Sequence, residues 1–213
     1  MDGLTLLIDC SSANVQWGIG DINSLLHKEY LNRENNADSL ISEIKTGFEE
    51  RSLSLRSIEF VFLANGPGSF TGLRIGSVIS KGICFISGAK LIEVNSIDII
   101  AEKSSSVGNI ICLINSNMKT GEFYFAEYFK SKQTERISEY GLIHPEDIKP
   151  GIIAVVTEDS VCNINSAERV TTDTIEHLFT IGKTKRKFGE YSDSYKSEPF
   201  YIKQFNPVTK TRK

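Results

Sequence analysis

The sequence predicts an α/β fold, a mixed sheet with helices packed on it. Three observations lead there. A strand meander opens the chain, helix and strand patterns then alternate, and a smaller mixed unit follows the polar linker Ser104-Ser105-Ser106-Val107-Gly108. The 213 residues are 40% apolar and 24% charged, enough for one large domain or two small ones.

The elements follow in order. Residues 5–9 (TLLID) form an apolar run ending in an acid, and Cys10-Ser11-Ser12-Ala13-Asn14 turns. Residues 15–19 alternate like a strand, and residues 25–31 supply a third. Leu40, Ile41, Ile44 and Phe48 recur at helical spacing, which predicts a helix over 39–51. Residues 58–64 are apolar enough for a strand buried on both faces. A glycine-rich stretch, Gly66-Pro67-Gly68-Ser69-Phe70-Thr71-Gly72-Leu73-Arg74-Ile75-Gly76, then leads into a helix over 71–87. A strand at 90–94 and a short helix at 97–103 complete the first unit.

In the second unit, strands are expected at 110–114, 122–129, 137–142 and 152–157, with a turn at 115–121. Pro145-Glu146-Asp147 begins a short helix, and 173–181 reads as another. Apolar alternation fades after Gly189, with only 200–205 suggesting structure. No repeat of 20 to 50 residues is evident.

Net charge is −3, unevenly spread: residues 183–213 hold nine Lys/Arg against three Asp/Glu. A basic tail on an acidic body suits nucleic-acid phosphate, an acidic protein surface, or plain solvation. The first strand starts near Leu4 with no charged-then-apolar leader, and no apolar run approaches a membrane span. Cys10, Cys84, Cys112 and Cys162 are scattered in or beside apolar runs. They are expected as free thiols in a reducing compartment, the cytoplasm.

The glycine stretch needs a reason, because glycine costs about 1 kcal/mol against alanine inside a helix. A phosphate loop, a close backbone approach and a tight turn compete. The triphosphate-loop pattern lacks its lysine, and the dinucleotide pattern fails where Thr71 replaces the third glycine. Gly68, Gly72, Gly76 and Ser80 form a row of small residues at steps of four. Ile75, Ile79, Ile83 and Ile86 already supply a face for the domain's own sheet, which favours a partner helix over internal packing for that row. Asp9, Ser11 and Ser12, with Gly66 and Gly68, could form a degenerate phosphate site, or a turn capped by its own Asx hydrogen bonds. The three histidines, His27, His144 and His177, show no metal-ligand spacing, and Ser69 lacks the nucleophile-elbow pattern.

The combination of Leu7-Ile8-Asp9-Cys10-Ser11-Ser12, the stretch from Gly66 to Gly76, and Gly121-Glu122-Phe123-Tyr124-Phe125-Ala126 resembles the TsaB (YeaZ) family. Glu198-Pro199-Phe200-Tyr201-Ile202 is similar to that family's late Pro-x-Tyr-Leu element, so the resemblance spans roughly residues 4–203. It implies two actin/hexokinase-like (ASKHA) lobes of mixed sheets flanked by helices. Residues 1–103 would form the first lobe, and 104–213 a reduced second lobe whose basic tail could pack back on the first lobe. It implies a non-catalytic subunit of the bacterial machinery that places threonylcarbamoyl on N6 of the adenosine beside the tRNA anticodon. The partners implied are TsaD, which carries the catalytic metal, the ATPase TsaE, a second copy of the chain, and tRNA through the complex. No cofactor is expected on this chain, ATP and magnesium belonging with TsaE. The His-x-x-x-His motif of TsaD is absent.

On that resemblance, Leu40 and Ile44 join Phe70, Gly72, Leu73, Arg74, Gly76, Val78 and Ser80 at the partner interface. Gly72 and Gly76 permit the approach, Phe70, Leu73 and Val78 supply area, and Arg74 is a polar anchor. Asn115-Ser116-Asn117-Met118-Lys119-Thr120 departs from the family's usual Asp-Ala-Arg. A second reading is a nucleotide-binding enzyme of the sugar-kinase/actin class, with Asp9, Ser11 and Ser12 near phosphate.

Overall fold

A computed structural model describes residues 2–31, 37–117, 121–162, 164 and 166–202. The expected meander is present as β1 (Thr5–Asp9), β2 (Val15–Gly20) and β3 (Leu25–Leu31), all antiparallel neighbours. Helix α1 (Ala37–Glu50) precedes β4 (Phe60–Ala64), α2 (Phe70–Ser87), β5 (Lys90–Val94) and α3 (Ser96–Lys103). β4 and β5 add in parallel, giving the order β3-β2-β1-β4-β5. Helix α2 is closed by Ser69, whose hydroxyl accepts from the Gly72 N–H, and by Gly88 in the left-handed conformation.

The second unit holds β6 (Gly108–Asn117), β7 (Glu122–Lys130), β8 (Thr134–Arg136), β9 (Gly141–Ile143), β10 (Ile153–Thr157) and β11 (Glu168–Val170). Its order is β11-β10-β6-β7-β8, with β9 also on β7. Both sheets place their first strand centrally, with antiparallel neighbours on one side and parallel ones on the other. Two mixed sheets flanked by helices, as expected, are thus built on one plan that the sequence does not reveal as a repeat.

The differences from the expected elements have local causes. β6 runs on through Asn115, where an apolar strand was expected to turn, because the hairpin partner β7 pairs with it up to Glu122. The strand expected at 137–142 is interrupted: the Ser138 hydroxyl takes the Glu127 N–H that a continuous ladder would occupy, leaving β8 and β9 on either side. β11 was not foreseen, being three residues long.

Helix α4 (Ile175–Lys187) is the largest revision. It begins two residues late and continues through Lys183, Lys185, Arg186 and Lys187, which read in the sequence as the start of a basic tail. Ile175, Leu178 and Phe179 pack with Leu7, Phe62, Ile92 and Val94 on the first sheet. Arg186 donates to the Ile22 carbonyl and lies over the Phe60 ring, and Lys183 donates to the Asn23 carbonyl. These cations hold the helix on the first lobe. The remainder of the tail, 203–213, lies outside the described residues, as do 118–120 of the altered turn.

The first sheet is therefore buried on both faces. Leu6, Ile8, Val61 and Leu63 meet α1 and α2, while Leu7 and Phe62 meet α4. Helix α3 wedges between the lobes: Ile99 joins the first core, and Ile97, Ile100 and Ala101 pack on the second sheet. The Tyr128 and Tyr140 hydroxyls donate to Asp98 of α3, at 2.7 Å and 2.8–2.9 Å. The serine linker is held too, since Glu168 accepts from the Ser104 and Ser105 hydroxyls and from the Ser105 and Ser106 N–H groups.

Candidate functional site

The Asp9 turn and the glycine stretch prove to be one construction. The Ser69 N–H donates to the Ser11 carbonyl at 2.7 Å, which lays the turn after β1 across the start of α2. A Cβ on Gly68 would meet the Ser11 carbonyl oxygen at 2.2 Å, and one on Gly72 the Cys10 carbonyl oxygen at 1.9 Å. Backbone cannot yield by that much, so only glycine fits. Gly76 and Ser80 are buried in the same row, Gly76 against Leu63 and Cys10. The small-residue row thus packs inward on the chain's own first lobe, and the expectation that it admits a partner helix is corrected. Leu40, Ile44 and Leu73, also expected at the interface, are core residues at 0–2% exposure.

What α2 leaves outside is a different stripe. Arg74 is exposed, Val78 is 69% exposed and Phe85 74%, and Ile86 is 45% exposed although it was expected to face the sheet. Ile41 of α1, which packs beside α2, adds an exposed side chain. Phe70 is half exposed, with its ring between Tyr201 and the Arg74 guanidinium. Of the nine expected interface residues, Phe70, Arg74 and Val78 lie on the surface. Phe85 was missed because one more aromatic at the end of an apolar helix gives no sign of which way it faces.

Asp9 is wholly buried. One oxygen accepts the Ser11 N–H at 2.7 Å and the other the Thr174 hydroxyl at 2.6 Å. The Asx-capped turn is thus present, and it ties β1 to the approach to α4. Gln16 reinforces the tie, donating to the Thr172 carbonyl and accepting from the Thr174 N–H. Burial first, and then the charge of Asp9, push the Cys10 thiol up to about 12, so it stays protonated at neutral pH. Among the described residues, no cluster of three His, Cys, Asp or Glu side chains is placed to hold a metal. No described helix is long and apolar enough to cross a membrane.

Gly66, in a positive-φ conformation, carries the last part of the site. Its Cβ would clash with Leu73 and with the Phe200 carbonyl. The segment 198–202 crosses here as a strap: the Phe200 N–H donates to the Asn65 carbonyl, and the Asn65 amide donates to the Glu198 carbonyl. Tyr201 stacks on Phe70 of the first lobe, while Phe200 meets Tyr140 and Ile202 joins the core of the second. Under the strap, between the lobes, lies a cleft of about 1220 Å³ backed by Asp9, Ser11, Ser12 and Gly68. Its other wall is Asn115, Ser116, Thr157, Asp159 and Ser160, which sequence reasoning did not single out for a site beyond the altered turn. The signal was available: Asn115-Ser116 ends β6 as Asp9-Cys10-Ser11 ends β1, each a small polar step after the central strand.

The family model described as TsaD, tRNA N6-adenosine threonylcarbamoyltransferase, matches residues 31–157, more than half of the chain. The chain belongs to this family. Its relatives there include TsaB proteins, named as tRNA threonylcarbamoyladenosine biosynthesis proteins. That of Escherichia coli K12 is 28% identical over 144 residues, covering 64% of this chain and 57% of its own. That of Haemophilus influenzae is 24% identical over 144 residues, covering 66% and 60%. The chain therefore spans less than two thirds of the length of these relatives. YeaZ from Pseudomonas aeruginosa superposes with a TM-score of 0.76 at 18% identity, over 94% of this chain and all of that one, and so shares the fold. The resemblance to TsaB (YeaZ) read from the motifs is thus shown by the relatives and by the fold.

Proposed function

We propose that this chain is a TsaB-type subunit that acts by binding a TsaD protein and supporting its transfer of threonylcarbamoyl to N6 of adenosine 37 in tRNA. On this reading catalysis and its metal reside on TsaD, TsaE supplies ATPase activity, and the assembly works in the cytoplasm. The observation that carries it is the exposed stripe of Val78, Phe85 and Ile86 on α2, beside Ile41 of α1. Each large apolar side chain fully buried there would contribute about 1.5–3 kcal/mol. Arg74 at the edge suits a polar anchor. A second copy of the chain would compete for the same stripe, which makes the homodimer and the TsaD complex mutually exclusive.

Val78→Asp and Phe85→Asp test the reading. Both side chains project outward, so the fold should survive, while co-purification with TsaD and restoration of tRNA modification in a strain lacking TsaB should be lost. Retention of the complex at wild-type yield would refute it. Gly76→Leu is unsuitable for this purpose, since Gly76 packs on Leu63. For tRNA contact, the informative truncation follows Ile202, because cutting earlier removes the strap or α4. An unchanged salt dependence of tRNA binding by the complex would exclude the tail from contact.

A further inference from the structure

We propose that residues 203–209, which follow the strap, lie back along the exposed stripe of α2 and must leave it before a partner can bind. The regulation rests on the partner reading; the contact itself does not.

The strap already sits at one end of the stripe. Tyr201 stacks on the Phe70 ring with centroids 5.4 Å apart, and the Arg74 guanidinium lies 3.8 Å from the same ring. Phe70 begins α2, and steps of four, four and seven carry one helix face from it through Arg74 and Val78 to Phe85. Along that face Val78 is 69% exposed and Phe85 74%. Single exposed apolar side chains are ordinary, but a row that continues an existing contact is a place for more chain.

The sequence after the strap is spaced to use it. Val78 stands eight residues beyond Phe70, about 12 Å along a helix, and Phe85 fifteen residues, about 22 Å. In extended backbone Phe205, four residues beyond Tyr201, reaches about 13 Å, and Val208, seven beyond, about 23 Å. Phe205 and Val208 thus match Val78 and Phe85 in order and in spacing. Pro207 biases Asn206 toward the extended backbone that this reach requires.

Charge points the same way. β1, β3 and β4 run in one direction, and α1 and α2 each return from the carboxyl edge of that sheet to its amino edge, so the two helices end together. The last turn of α2 holds no basic residue, and α1 ends on the exposed Glu49 and Glu50. A chain laid along α2 from Phe70 brings Lys210, Arg212 and Lys213 to that edge, where helix carbonyls and two carboxylates favour cations. A tethered segment also meets the stripe at an effective concentration on the order of millimolar, above that of a second copy in dilute solution.

The test is disulfide trapping in the full chain. A Cys162→Ser background removes the one cysteine that is not buried. Val78→Cys with Phe205→Cys should close within one chain at least tenfold faster than Glu146→Cys with Phe205→Cys, read by mass spectrometry. Glu146 is the control because it is exposed near Ile148, which packs on the face of the second sheet opposite Ile202. Equal rates for the two pairs would overturn the contact, and disulfides between copies would overturn it in favour of a second copy. Removal of 203–213 should raise the apparent affinity for TsaD at least threefold. The oxidised Val78→Cys/Phe205→Cys chain should bind TsaD at least tenfold more weakly than the same chain reduced. Equal binding in both states would overturn the regulation. TsaD binding by none of these forms would sink the partner reading, and the regulation with it, while the disulfide rates still decide the contact.

Discussion

Alanine at Gly72 and at Gly82 makes the same chemical change in the same helix, with opposite expected results. At Gly82 the added methyl meets nothing within 4 Å. Relief of glycine's helix penalty should stabilise that variant by about 0.5–1 kcal/mol. At Gly72 the same relief is available, but the methyl would lie 1.9 Å from the Cys10 carbonyl oxygen and 3.1 Å from its carbon. Ordinary contact begins near 3.4 Å, so α2 and the β1 turn must separate by more than 1 Å. The Ser69-to-Ser11 hydrogen bond and the Asp9 turn resist that separation. Overpacking of this kind costs about 1–3 kcal/mol or more, leaving a net loss of about 2 kcal/mol. The two variants should therefore differ by about 3 kcal/mol in urea unfolding, or roughly 6–12 °C in melting temperature at this chain length. Equal stability of the two, or a loss at Gly82 matching that at Gly72, would refute the inward packing of the glycine row.

Other expectations follow from the same contacts. Burial tends to raise the Glu168 carboxyl, but donors from Ser104, Ser106 and Ser105 outweigh it and hold the group at about 2 instead of 4.5. A depressed carboxyl contributes stability above its unfolded value, so this contribution should be whole above pH 4.5 and vanish as the pH falls toward 2. Glu168→Gln should lose about 1–2 kcal/mol at pH 7, allowing for partial solvent screening, and acid titration of urea midpoints should show the gap from wild type closing over that window. Thr174→Val removes a donor from the buried Asp9 and should cost about 1.5–3 kcal/mol; a change below about 0.5 kcal/mol would show the tie to be idle. Asp98→Asn should lower the alkaline midpoint of tyrosinate absorbance, because Tyr128 and Tyr140 are raised first by burial and then by the Asp98 charge.

The first lobe was legible because its signals are local. Period-2 and period-3.6 patterns mark β1 to β5 and α1 to α3 within a few residues. The second lobe was less so, because its elements depend on partners far away: β8 and β9 exist where β7 accepts them, and Ser138 ends a ladder that hydropathy would continue. At the site, the small-residue row was visible but its direction was not. Periodicity gives the angle between two faces of a helix and never which one is covered. The isoleucine face as far as Ile83 and the glycine row of α2 both turned inward, while Ile86 and the third face, marked in sequence only by Arg74 and Lys81, were left outside. Asn115 read only as part of a turn that departs from the family pattern; it accepts from the Ser160 hydroxyl and donates to the Val161 carbonyl, clasping the loop after β10. The cleft could not be read from either half, since it exists only where two sheets meet.

Helix α4 has a consequence for how the molecule is made. The side of the first sheet bearing Leu7, Phe62 and Ile92 is covered by residues 175–187. A growing chain therefore finishes every strand of that sheet long before the helix that shields it emerges. Until then a wide apolar surface stays open, the condition under which partly made domains stick together. The contacts that close it span more than 80 residues of sequence, so they form late and slowly. Residues 1–103 cut out as a fragment should be aggregation-prone, however complete their strands, and the two lobes are a division of space more than a division of the chain.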